Sequence, residues 1–154
     1  MFASDVYNAK PDELHSLSED ETRLPYNILV VDDESLVRWS LFQVFKKVGY
    51  NVVTAATAEE AMEKMLEEHF DLVVTDIKLP GENGFHLAEQ VKKHFSHCIV
   101  FMISAFGDDV ARKKAREIGV KYFFDKPVDM GNLLWAATKA LRQSGMIHLN
   151  SDDE

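Results

Sequence analysis

Residues 71–84 read DLVVTDIKLPGENG, and this stretch decides how the rest of the chain is parsed. Its first half is a nearly continuous apolar run closed by Asp76, the pattern of a central strand covered on both faces. Its second half, with Pro80-Gly81 and Asn83-Gly84, is loop chemistry. A short buried strand that stops on a carboxylate and runs into a loop is one unit of a parallel sheet. The question is whether the flanking sequence supplies more of them.

It does, in both directions. From Tyr26 onward short β-branched runs alternate with longer segments of helical period, as crossover helices between parallel strands require. The expected strands are residues 27–32, 51–55, 71–76, 98–104 and 120–125. Val37, Leu41, Val44 and Val48 recur at helical spacing, as do Ala58, Ala61, Met62, Met65 and Leu66, and later Met130, Leu134, Ala137 and Leu141. These stripes predict core-facing helices. Thr57 followed by Glu60 predicts a capping box, and Asp129 a cap for the last helix. Gly49, Gly107 and Gly119 mark helix ends or turns. The fold class is therefore α/β.

A chain of 154 residues accommodates one such domain. Its hydrophobic fraction of 46% and charged fraction of 28% are those of a globular protein, and no apolar run is long enough for a membrane span. The net charge of -9 is concentrated at the ends: residues 1–26 carry six acids and two bases, and residues 143–154 carry three acids and no base. We read residues 1–26 as an acidic flexible arm, 27–142 as the domain, and 143–154 as a short, loose acidic tail. The acidity argues against direct nucleic-acid binding. The arm lacks the basic start and apolar centre of a signal peptide, so a cytoplasmic location is expected. Cys98 is the sole cysteine and, beside Ile99, Val100 and Phe101, reads as a small core residue.

Chemistry in an open α/β sheet collects at the carboxyl ends of the strands. The first strand ends in Asp32, Asp33 and Glu34, the third in Asp76, the fourth in Ser104, and the fifth in Asp125, Lys126 and Pro127. Carboxylates gathered at one edge repel unless a cation lies among them. A hard divalent ion such as magnesium, which takes carboxylate oxygens and shares its remaining positions with phosphate, suits them. An acidic pair alone is more often a solvated turn, and a strand-end serine alone is turn chemistry. A carboxylate nucleophile, a metal, a lysine and a hydroxyl together constitute an aspartyl-phosphate site.

At this point the sequence resembles a response-regulator receiver domain over about residues 27–142. ILVVDDE resembles the first strand of the family with its acidic pair, DLVVTDIKLPGENG the phosphorylation strand and loop, MISAFGD the hydroxyl strand, and FFDKPVD the lysine-proline turn. The resemblance implies a (βα)5 doubly wound, flavodoxin-like fold with a five-stranded parallel sheet of order 2-1-3-4-5. It implies a phosphoryl group on Asp76, with magnesium on Asp33, Asp76 and the backbone carbonyl of Lys78, and Asp32 helping through a bound water. Ser104 and Lys126 are then the contacts to the phosphoryl oxygens, and the Lys126-Pro127 peptide is expected to be cis. Phe123 matches the aromatic that turns inward when the hydroxyl residue moves toward the phosphate; without the resemblance it reads as an ordinary core aromatic.

The implied partners are a sensor histidine kinase or phosphotransfer protein as donor and a downstream protein of unspecified identity, with a monomer or a phosphorylation-dependent dimer as the assembly. A stand-alone receiver is the preferred reading. VDDESLVRWSL also resembles receivers of nitrogen-regulator-type transcription activators, so a receiver belonging to a longer regulator is the alternative. Self-phosphorylation from small donors and autodephosphorylation are the only reactions expected. An Asp-nucleophile phosphohydrolase would want a second aspartate where Lys78 stands, and a cofactor module would want a glycine-rich phosphate loop where Asp32-Asp33-Glu34 stands. Lys78 and Phe106 depart from the commonest family pattern and are expected to alter the lifetime of the phosphorylated state. Arg112, Lys113, Lys114 and Arg116 form a basic cluster that reads as a solvated face or a docking surface. His94 and His97 straddle a helix end and form no metal set.

Overall fold

A computed structural model describes residues 25–152, with side chains described from 25 to 145; the expected arm at 1–24 and the last two residues lie outside the described residues. Five strands, β1 (Asn27–Val31), β2 (Asn51–Ala55), β3 (Leu72–Asp76), β4 (Ile99–Ser104) and β5 (Tyr122–Asp125), alternate with five helices. The helices are α1 (Ser35–Lys47), α2 (Ala58–Glu67), α3 (Gly84–His94), α4 (Asp109–Ile118) and α5 (Met130–Asp152). All strand pairs are parallel and the sheet order is β2-β1-β3-β4-β5. This is the expected (βα)5 doubly wound topology, with strand order reversing between β1 and β3.

Because strand side chains alternate between faces, the sheet carries two cores. On one face Leu29, Val31, Val73, Val100 and Met102 pack under α2, α3 and α4 through Ala58, Ala61, Met65, Leu87, Ala88, Val91 and Ala115. On the other, Ile28, Val30, Leu72, Val74, Phe101 and Ile103 pack under α1 and α5 through Leu41, Phe45, Leu133, Ala137 and Leu141. Cys98 is buried in the first core, as expected, and burial pushes its thiol up to about 12.

Three expectations are corrected. Leu66 is 78% exposed, because it follows Met65 by about 100° around α2 and leaves the buried face. On α1 the expected stripe does face the core, with Leu41 fully buried and Val37, Val44 and Val48 half-buried and packed against it, and Phe45, one turn from Leu41, is buried with them. The last helix does not stop at Arg142: its backbone continues helical to Asp152, where a loose tail was expected. The strands β1, β3, β4 and β5 are each one or two residues shorter than expected at one end.

The helix signals act as read, with one refinement. The hydroxyl of Thr57 accepts from the Glu60 amide at 3.0 Å, but the Glu60 carboxylate accepts from the Ala56 amide at 3.0 Å, one residue earlier than a capping box requires. Asp129 accepts from the Asn132 amide at 3.0 Å. Asn83, at the end of the loop after β3, caps α3 by accepting from the His86 amide at 3.0 Å, so Gly84 is the first residue of a helix. A Cβ on Gly84 would run into the carbonyl oxygen of Asp76, which lets α3 start directly against the end of β3. Gly119 ends α4 at φ 104°, a left-handed conformation that glycine adopts freely.

Candidate functional site

The carboxyl ends of β1, β3, β4 and β5 form one edge, and backbone bonds carry the ladders one residue past the strands. The amide of Asp32 donates to Ala55 (3.1 Å), that of Ile77 to Ile103 (3.2 Å), and that of Lys126 to Ser104 (2.8 Å). Asp32 and Lys126 are thereby placed by the sheet and not by free loops.

Asp32 is fully buried, and Asp76 is 5% exposed. The Oδ1 of Asp32 accepts from the Glu34 amide at 2.9 Å, and its carbonyl accepts from Arg38 Nη1 at 2.7 Å. Lys126 reaches into this pocket: its Nζ lies 2.7 Å from Asp76 Oδ2, 3.0 Å from Asp32 Oδ2 and 3.0 Å from Glu34 Oε1. The contact with Asp32 is an ion pair but is not directed as a hydrogen bond, so Asp32 Oδ2 is buried without a hydrogen-bond partner. Asp76 Oδ1 accepts a long bond of 3.3 Å from the Lys78 amide. The Lys126-Pro127 peptide is cis, as expected.

The electrostatics follow from the burial. Desolvation raises the Asp32 pKa; the Glu34 amide and Lys126 work against it, and the nearby Asp76 adds to it. Burial likewise opposes the charge of Lys126, but its close contacts with the carboxylates of Asp76, Asp32 and Glu34 outweigh that and hold the ammonium above the usual lysine range. One cation thus faces three carboxylates, with Asp33 exposed beside them.

Asp32, Asp33 and Asp76 each offer a carboxylate oxygen within 4.8 Å of the others. It is the single such group of three or more potential metal ligands found among the described residues. An all-oxygen donor set containing a buried oxygen without a hydrogen bond fits a hard divalent cation such as magnesium. Among the described residues no histidine joins it: His94 ends α3, His97 lies beyond it, His69 pairs with Asp71 at 3.0 Å and His86 with Glu82 at 3.5 Å.

Ser104 is buried at the end of β4, and its hydroxyl oxygen accepts from the Phe106 amide at 3.1 Å. Phe123 is half-buried and packs on the α2–α4 face, whereas Tyr122 and Phe124 point to the opposite face and pack around Phe101. All seven residues singled out from the sequence, Asp32, Asp33, Asp76, Lys78, Ser104, Phe123 and Lys126, lie at or next to this strand-end edge.

Other contacts escaped the sequence reading. Glu34 stood in the acidic run without a role, yet it shares Lys126. The ammonium of Lys78 lies over the ring of Phe106. The basic cluster of α4 is only in part a solvated face: Arg112 pairs with Asp125 and lies over Phe123, and Lys114 lies over Phe85. Each joins residues far apart in sequence, so periodicity and spacing carry no signal of it.

With fold and edge in view, comparison with known proteins is unambiguous about class. The chain belongs to the response regulator receiver domain family, which matches residues 28–138. It is 32% identical over 114 residues to sporulation initiation phosphotransferase F of Bacillus subtilis, covering 74% of this chain and 92% of that protein. It is 35% identical over 115 residues to a cyclic di-GMP phosphodiesterase of Thermotoga maritima, covering 75% of this chain but only 31% of that protein. A CheY-like response regulator receiver domain from Methanospirillum hungatei JF-1 superimposes with a TM-score of 0.77 at 30% identity, over 79% of this chain and 98% of that one. Receiver domains serve phosphorylation-dependent two-component signalling.

Proposed function

We propose that this chain is a phosphorylation-dependent switch in which Asp76 accepts a phosphoryl group from a histidine kinase or phosphotransfer protein. The observation that carries the reading is the placement of Lys126, 2.7 Å from Asp76 and 3.0 Å from Asp32 at an edge that also gathers Asp33. In the transfer, a carboxylate oxygen of Asp76 attacks the phosphorus of phosphohistidine. The P–N bond breaks, the imidazole keeps the electron pair and takes a proton, and an acyl phosphate is left on Asp76.

Asp32, Asp33, Asp76 and the carbonyl of Lys78 would hold magnesium, which neutralises charge on the phosphoryl oxygens when bound. Lys126 balances negative charge on the phosphoryl group from the other side, and the Ser104 hydroxyl donates to it after giving up its place beside the Phe106 amide. Movement of Ser104 leaves room for Phe123, and the surface around α4 and β5 changes with it. That surface would meet a downstream protein, as a monomer or as a phosphorylation-dependent dimer.

We assign residues 27–142 to the receiver domain. Lys78 stands where an Asp-nucleophile phosphohydrolase would carry its acid/base, so we read the chain as a switch without turnover of external phosphoesters. Among the described residues no helix is long and apolar enough to cross a membrane, which is compatible with a cytoplasmic switch.

The test is intact mass after incubation with acetyl phosphate and magnesium. A gain of one phosphoryl group in the wild type, absent in Asp76→Asn and absent without magnesium, is expected. No gain in the wild type, alongside a labelled control receiver, would leave a domain that signals by binding alone.

A further inference from the structure

We propose that Arg112 is a positioning residue for the switch: its guanidinium holds the Phe123 ring where it lies, and Asp125 holds the guanidinium. The inference rests on the aspartyl-phosphate reading and adds to it the group that sets how strongly the switch resists turning.

Two neighbours close on the ring, Arg112 and Gly107, and Asp125 pairs with the first of them. The guanidinium carbon of Arg112, in the first turn of α4, lies 4.7 Å from the Phe123 ring centroid, within range of a cation–π interaction. Its Nη2 lies 2.5 Å from Asp125 Oδ2, two residues beyond Phe123 on β5. From the β4–α4 loop, Gly107 closes in as well: a Cβ there would lie 2.7 Å from Phe123 Cε1 and 2.5 Å from Asp125 Oδ1. An exposed Arg–Asp pair contributes little by itself. This one matters because it fixes the plane of a guanidinium over an aromatic that has to move.

The same segment holds the hydroxyl. Ser104 is bonded to the Phe106 amide, so hydroxyl and ring are both engaged with residues 104–112 in the present arrangement. In the proposed switch the ring follows Ser104 toward Asp76 and gives up its contact with the guanidinium. An interaction made in one state and lost in the other biases the balance by its own strength. Removing it therefore favours the state that binds a phosphoryl group.

The experiment is a titration of the full chain with beryllofluoride in saturating magnesium, followed by fluorine NMR. Arg112→Met is expected to bind about two- to fivefold more tightly than the wild type, the factor that loss of one exposed cation–π contact yields. Arg112→Lys, which keeps the charge but not the planar fork, is expected to fall between them. Asp125→Asn, which leaves α4 untouched, should shift affinity in the same direction by a smaller factor. In a Phe123→Leu background the effect of Arg112→Met should vanish, whereas a merely structural arginine would give the same factor in both backgrounds. Unchanged or weaker binding by Arg112→Met, or equal factors in the two backgrounds, overturns the proposal while leaving the aspartyl-phosphate reading intact. A wild type that neither binds beryllofluoride nor is labelled by acetyl phosphate overturns both.

Discussion

The ammonium of Lys78 rests 4.2 Å from the centroid of the Phe106 ring, joining the residue two after Asp76 to the residue two after Ser104. Phe106 is 70% exposed, so this contact forms a cover on the solvent side of the edge and not part of a core.

We expect this cover to slow the water that hydrolyses an acyl phosphate on Asp76. A cation–π contact at an exposed site is worth about 0.5–1 kcal/mol, so its loss raises the open fraction by a factor of roughly two to five. Lys78→Asn and Phe106→Glu are each expected to shorten the phosphorylated half-life by about that factor. Mass measurements over time after removal of acetyl phosphate check this, and half-lives equal to that of the wild type rule the cover out.

Asp32 predicts a stability effect with a definite sign. Its folded pKa is raised above the ordinary 3.8, chiefly by burial. The folded state therefore binds the proton more tightly than the unfolded chain, and stability is lost as pH rises from below 3.8 through the raised value. Asp32→Asn, keeping the acceptor for the Glu34 amide, is expected to be more stable than the wild type at pH 7 without magnesium. The gain is held to under about 1 kcal/mol, because the amide relieves the desolvation of the carboxylate but forfeits its 3.0 Å ion pair with Lys126, which keeps Asp76 and Glu34 as partners.

Two further measurements separate this from a general packing effect. The difference should shrink as urea unfolding is repeated at pH values falling toward 4, and it should shrink or reverse in millimolar magnesium, which stabilises the wild type by mass action. A gain that ignores both pH and magnesium would exclude the explanation.

Gly84→Ala inverts the usual helix rule. Alanine normally stabilises a helical position by about 1 kcal/mol over glycine. Here its Cβ meets the carbonyl of Asp76, backbone that cannot rotate away. A loss of about 1–3 kcal/mol is expected, as for other overpacked sites, read from the urea midpoint. Because the clash is at Asp76 itself, labelling by acetyl phosphate should slow as well.

Much of this was legible in the residues. Near-continuous runs such as DLVVTD and CIVFMIS read as strands covered on both faces, and the carboxyl-end rule then brings Asp32, Asp33, Asp76, Ser104 and Lys126 to one edge. Strand order came only through the resemblance, since alternation does not distinguish one parallel order from another. Three things were hidden. Leu66 satisfied an apolar stripe but sits off the buried face. Residues beyond Arg142 have no sustained apolar period, yet the helix backbone persists. Arg112 looked like one of four solvated cations, because its partners Phe123 and Asp125 belong to the next strand.

The division of the sheet into two cores has a consequence for how such a chain tolerates change. Phe101, Tyr122 and Phe124 pack together on the α1–α5 face, with ring centroids 5.2–6.2 Å apart, while Phe123, the remaining aromatic of β5, faces the α2–α4 side. The switch side and the α1–α5 core are thus separated by the sheet itself. Substitutions on α4 or its flanking loop that touch Phe123 leave those three rings in contact, so the α1–α5 core is insulated from change on the side where the switch is proposed to turn.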